Sequence, residues 1–144
     1  MTVHLIKLCV GVSEPEELEV WQARRVAEKK AAGIPPEVLH ITRMVPKRAE
    51  ELLDGGSLFW VMKGEIRARQ TLLDVRDFRD DEGIRRCALV LDPEVVRTQR
   101  RGRRPFQGWR YLKTEDAPSD VRLGADEAEM PEEMRAELEK LGLL

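Results

Sequence analysis

Residues 57–72 restrict the fold more than any other stretch of the chain. Ser57-Leu58-Phe59-Trp60-Val61-Met62-Lys63 is aromatic and β-branched, the composition of a strand that packs on a pleated, buried surface. Gly64 then allows a bend or bulge. Beyond it Ile66, Ala68, Gln70 and Leu72 alternate with Arg67, Arg69, Thr71 and Leu73, so a second strand runs back as part of a hairpin or meander.

The flanking segments supply the remaining elements. Val3 to Val10 reads as a short apolar strand in which His4, Ile6, Leu8 and Val10 share a face at period two. Ser13 precedes Glu16 at capping-box spacing, with Pro15 tolerated in the first turn. A helix is predicted from Glu14 to about Ala32, with Leu18, Trp21, Ala23, Val26 and Ala27 as its apolar stripe and Gly33 closing it. Glu37 to Met44 reads as a strand. Pro46 opens a short helix through Leu53, stopped by Gly55-Gly56. Asp80-Asp81-Glu82-Gly83 is a turn, and Ile84 to Asp92 a strand ended by Pro93. Arg97 to Arg104 reads as a basic loop, and Gly108 to Leu112 as a last strand. The polar stretch 115–129 follows, then a terminal helix with Met130, Met134, Leu138 and Leu141 at helical spacing.

Strands run together after the helices, which favours α+β over alternating α/β. The expected architecture is a curved, partly closed, mostly antiparallel sheet of five or six strands with flanking helices. Residues 1–115 form the expected domain and 116–144 an acidic extension.

A length of 144 residues and a 42% hydrophobic fraction suit one core. No apolar run approaches the ~18–20 residues of a membrane span, and the N-terminus lacks a signal-peptide pattern. Cys9 and Cys87 sit in apolar runs and are expected as free thiols in a reducing cytoplasm. The net charge of −2 hides an asymmetry. Basic residues outnumber acidic ones 22 to 17 over residues 1–113, whereas acidic residues prevail 10 to 3 over 114–144.

The segment from Arg97 to Lys113 carries the sharpest functional signal. Arg97, Arg100, Arg101, Arg103, Arg104, Arg110 and Lys113 occur there without one acidic residue, interleaved with Phe106, Trp109 and Tyr111. Guanidinium groups pair with phosphates and aromatic faces stack on bases. The competing reading is a solvated loop facing the acidic tail, with the aromatics in the core. Arg43, Lys47, Arg48 and Lys63 form a second basic group around the short helix, read either as an anion site at its N-terminus or as ordinary surface decoration of an amphipathic helix. Gln70 falls at the period of the apolar face and is read either as recognising a base or ligand or as bonding to the backbone. His4 and His40 fit strand positions better than catalytic ones. No paired ligand spacing points to a metal, and nothing points to a cofactor.

Several stretches together resemble a family of uncharacterised bacterial proteins, the domain-of-unknown-function family numbered 1489. These are residues 4–11, Thr42-Arg43-Met44 with Pro46-Lys47-Arg48, residues 51–64, Arg69-Gln70, residues 89–93 and residues 104–112. The resemblance implies no activity. A looser fold-level similarity is to the small β-barrel modules of the PUA and ASCH type, in which RNA or modified bases bind beside a curved sheet.

The leading expectation is a non-enzymatic module for RNA or single-stranded nucleic acid, because the arginines and aromatics suit phosphate contact and stacking while no recognition-helix pattern occurs. Two alternatives stand beside it. One is a small-ligand-binding protein or enzyme with a pocket near Trp60, Gln70 and Arg43. The other is an interaction or oligomerisation module, including a homodimer, that uses the acidic tail or the terminal apolar stripe.

Overall fold

The computed structural model describes residues 2–121. The expected acidic extension and terminal helix therefore lie almost wholly outside the described residues. Seven strands and two α-helices form the described part: β1 (Val3–Leu8), α1 (Pro15–Ala31), β2 (Val38–Thr42), α2 (Ala49–Leu52), β3 (Ser57–Met62), β4 (Glu65–Arg79), β5 (Arg85–Leu91), β6 (Val96–Gly102) and β7 (Trp109–Lys113). A 3₁₀ turn, Thr114–Asp116, follows β7. The strand order is β2-β5-β4-β3-β1-β7, with β6 also on β4. Of these pairings β1 with β3 is parallel and the rest are antiparallel. The chain is thus α+β with a mostly antiparallel sheet, and the sheet is not closed.

β4 organises that sheet. Its first half pairs with β3 (Trp60 opposite Ala68) and with β6 (Arg69 opposite Val96), and its second half pairs with β5 (Val75 opposite Leu89). β5 and β6 therefore run in succession along one long strand. The turn into β4 is Lys63-Gly64, with φ values of 50° and 77°. Positive φ at both positions is the two-residue geometry whose twist matches that of the flanking strands.

The sequence expects a loop at Arg97–Arg104, and this is corrected: residues 96–102 form β6. Its side chains from Gln99 onward are exposed, so no apolar alternation marks it. The ladder to β4 supplies the order instead. Residues 119–121 extend that ladder outward, since Gln99 N–H bonds to Ser119 O at 2.8 Å and Val121 N–H to Arg97 O at 2.9 Å. The Arg69 guanidinium grips both carboxylate oxygens of Asp120 at 2.7 Å.

β3 is buried at every position, as expected of a strand covered on both faces. One core cluster contains Leu5, Leu18, Leu52, Leu58, Trp60, Met62, Leu72, Leu89 and Trp109. A smaller cluster on the opposite sheet face contains Ile6, Phe59, Val61, Ile66 and Leu112.

Helix α1 buries only Leu18, and Val26 in part, of the expected stripe. Its buried residues are Pro15, Leu18 and Gln22, while Trp21 is 51% exposed. Ser13 makes no cap either: Glu14 is the N-cap and has no side-chain capping bond. At the other end the expected stop at Gly33 is present, with φ 72° and N–H bonds from Gly33 to Lys30 O and from Ile34 to Lys29 O.

Gln22 sits at that interface for a polar reason. Its amide pairs reciprocally with the Gln70 amide, at 2.9 and 2.7 Å. Gln70 Oε1 also accepts the Trp60 indole N–H at 2.9 Å, and Gln70 Nε2 also donates to Asp92 O at 3.0 Å. Both lone pairs and both amide hydrogens of Gln70 are therefore used. The side chain has no exposed surface and no capacity left for a ligand. Replacing Gln22 by Ala strands two of those bonds inside the protein, so we expect a loss of about 1–3 kcal/mol in urea unfolding. Gln22→Ala with Gln70→Leu should cost less than the two single losses added together.

A second constraint is backbone packing at Gly56. A Cβ there would lie 2.3 Å from Leu52 O and 2.4 Å from Val3 O, inside any real contact. Gly56→Ala should force α2 and β1 apart and lower stability by about 1–3 kcal/mol, read as a fall in the thermal midpoint. An unchanged midpoint would contradict this packing.

Candidate basic rim and the concave face beside it

The basic residues fall into groups with different surroundings. Arg97 reaches back to α1 and pairs with Glu16 at 3.1 Å and Glu19 at 2.6 Å. Arg100 stands 4.0 Å from Glu65, and Arg101 donates to Asp116 O at 2.5 Å. Arg103, Arg104 and Arg110 are exposed and have no acidic partner among the described residues. The Arg103 and Arg110 guanidinium carbons lie 5.7 and 5.9 Å from the centre of the Phe106 ring.

The elements that hold this group are clear. Arg103 N–H bonds to Gly64 O at 2.7 Å, which fastens the β6–β7 connection to the β3–β4 turn and brings exposed Lys63 alongside. Phe106 is half-buried against the Ile6, Phe59, Val61, Ile66 and Leu112 cluster. Arg110 is registered opposite Ile6 on β1. Lys63, Arg103, Arg104, Phe106 and Arg110 therefore gather at one end of the sheet, where β1, β3 and β6 finish and β4 and β7 begin.

Most other arginines of β4 and β5 behave differently, Arg79 excepted, which donates to Gly83 O at 3.0 Å. Arg67, Arg69, Arg76, Arg85 and Arg86 each contact a carboxylate. The Arg76 guanidinium holds the carboxyls of Glu37 and Asp74 below the usual carboxylate range, and Arg85 does the same to Asp77.

Trp109 and Tyr111 do not join the rim. Trp109 is 6% exposed and donates its indole N–H to Met44 O at 2.9 Å. Tyr111 is half-buried, and its hydroxyl accepts the backbone N–H groups of Lys47 and Arg48 at 3.0 and 3.2 Å. Trp109 is thus a core residue rather than a stacking platform.

The second basic group differs from its expectation as well. α2 begins at Ala49, not at Pro46. The N–H groups of Lys47 and Arg48 are already taken by Tyr111, and the Arg48 side chain pairs with Glu51 while lying 5.2 Å from the Tyr111 ring centre. Exposed Arg43 follows β2. These contacts carry the segment after β2 across to β7, so side chains bridge the two end strands of the sheet path where no ladder joins them.

The concave face at the same end holds a feature that the sequence does not announce. Lys7 is registered between Trp60 of β3 and Trp109 of β7. His40 of β2 meets the Trp60 ring edge-on, centroids 5.0 Å apart. Burial pushes the His40 pKa down to about 4, and the Lys7 charge adds to the shift. Its Nε2 is buried and has no hydrogen-bond partner among the described residues. Burial raises the Cys9 thiol to about 11, which keeps it protonated and unreactive. His4, by contrast, is satisfied: its Nδ1 accepts Ser57 N–H at 3.0 Å.

Among the described residues no three His, Cys, Asp or Glu side chains could hold a metal ion together, and no helix is long and apolar enough to cross a membrane.

His40 gives a pH prediction. Its folded pKa of about 4 lies below the unfolded value of about 6.5. Between those values the unfolded chain binds a proton that the folded chain refuses, so stability is full above pH ~6.5 and falls as pH drops through the window. One proton contributes a slope of at most about 1.4 kcal/mol per pH unit. His4 is lowered too, by burial and by Arg69, and acts in the same direction. Urea unfolding between about pH 6.5 and pH 5 should show a shallower slope in His40→Leu than in the native chain; equal slopes would refute the assignment.

A comparison with known proteins adds a family but no activity. No curated protein and no solved structure matches the chain. The family model described as "Protein of unknown function (DUF1489)" matches residues 5–144, nearly the whole length. The chain belongs to the DUF1489 family of proteins of unknown function.

Proposed function

We propose that the protein is a non-enzymatic module that binds RNA or single-stranded nucleic acid along the rim of Lys63, Arg103, Arg104 and Arg110. The observation that carries this reading is that Arg103, Arg104 and Arg110 have no acidic partner among the described residues, whereas Arg67, Arg69, Arg76, Arg85 and Arg86 all have one. Unpaired guanidinium groups are the natural partners of phosphate oxygens.

Arg103 and Arg110 lie over Phe106, and such guanidinium planes offer a surface on which an unstacked base can rest. Arg100 and Arg101 border the rim with weaker or backbone contacts and add to its field. Lys47, Arg48 and Arg43 would meet the strand only beyond this first patch. Gln70 and Trp109 act through the fold that holds the rim. A cytoplasmic setting suits the free thiols of Cys9 and Cys87.

The test is anisotropy of a short labelled single-stranded RNA at about 50 and about 200 mM salt. Binding should weaken steeply with salt. Arg103→Ala, Arg104→Ala and Arg110→Ala combined should reduce the log–log salt slope by about 2, at roughly 0.7 per lost phosphate contact. No binding at low salt, or an unchanged slope in the triple variant, would sink the proposal.

A further inference from the structure

The concave face beside the rim contains one buried polar atom whose need the fold leaves unmet, with a lysine beside it. Lys7 is half-buried and makes no ion pair among the described residues. His40 Nε2 is buried without a partner, and an unmade hydrogen bond of this kind costs about 1–3 kcal/mol. The two groups share a neighbour, since Lys7 is registered opposite Trp60 and the His40 ring meets the Trp60 ring with centroids 5.0 Å apart.

The walls of this place are largely apolar. Trp60 and Trp109 are 3% and 6% exposed, so their rings bound the space without offering faces for stacking. Cys9, Val12 and Val45 pack against the same core. Glu17 on α1 is close enough to influence the Cys9 thiol, yet it forms no ion pair with Lys7. Gln70 is saturated, so the pocket expected near Trp60, Gln70 and Arg43 has no polar contribution from that amide.

We propose that Lys7 and His40 form a binding site for a small oxyanion, free or as the phosphate end of a nucleotide, on the floor made by Trp60 and Trp109. The Lys7 ammonium supplies the charge. The His40 ring, in its Nε2–H tautomer, donates one hydrogen bond to an anion oxygen. Exclusion of water by the tryptophans strengthens both contacts. The site is separate from the arginine rim: Lys7 and Trp109 project to one face of the sheet, and Arg110, the next residue, to the other.

The experiment follows the His40 ring and the Trp60 and Trp109 indole resonances of the full chain by NMR. The probes are inorganic phosphate, acetate and a nucleoside 5′-monophosphate, added at constant ionic strength. Saturable shifts at His40 and the indoles are expected, with affinity weakened at least about tenfold in Lys7→Met, because a hydrogen-bonded charge contact contributes about 1.5–3 kcal/mol. Tighter binding of the monophosphate than of phosphate identifies a nucleotide end; equal binding identifies the free anion.

The native chain alone can overturn the proposal, by showing no saturable shift with any of the three probes. Undiminished binding in a folded Lys7→Met protein would overturn it as well. The Arg103→Ala, Arg104→Ala, Arg110→Ala variant should keep the anion response while losing RNA, which separates this site from the rim.

Discussion

The amide of Gln70 is the interaction on which the described structure turns. It sits in β4 opposite Leu58, near the end of the half that pairs with β3, and it reaches Gln22 of α1, Trp60 of β3 and the carbonyl of Asp92 after β5. Apolar contacts would permit the helix to slide or rotate on the sheet, because hydrophobic attraction has no direction. Four hydrogen bonds with fixed geometry admit one register. A fully satisfied polar cluster of this kind specifies an arrangement as much as it stabilises it.

That fixed register has consequences for both proposed sites. Trp60 is held by its indole N–H, so the ring presents a fixed surface to His40 and to Lys7 beside it. Trp109 is held in the same way by Met44 O. Two buried indoles, each fastened by one hydrogen bond, thus set the walls around Lys7. The rim is positioned by backbone instead, through Arg103 N–H on Gly64 O and through the ladder between β6 and β4. The two sites share an end of the sheet but are built by different means.

Much of the fold was legible because burial leaves a period. The 57–72 hairpin, α1 and the Cys87–Leu91 strand all declare themselves by apolar spacing, and the Gly33 stop by its turn chemistry. β6 was not legible, since both faces of Gln99-Arg100-Arg101 meet solvent and no pattern records a ladder formed with a distant strand. The buried face of α1 was misread for a related reason. Trp21 is the largest apolar residue of the helix, but the polar partner that defines the interface, Gln70, selects Gln22. The arginine segment was visible as composition. Which arginines lack a carboxylate depends on contacts such as Arg97 to Glu16, across eighty-one positions, and no local reading of charge shows that.

The length of β4 has a consequence for how the chain reaches this state. One strand of fifteen residues is the partner of β3, β5 and β6, so most of the sheet assembles around a single segment. Hairpins with β3 and β5 close short loops and should form early. β7 joins β1 across about a hundred residues, and such non-local closure comes late and slowly. The rim is completed only when β7 docks. A nascent or partly folded chain therefore holds most of its core before it holds the proposed binding surface, so a ligand held there would report that folding is complete.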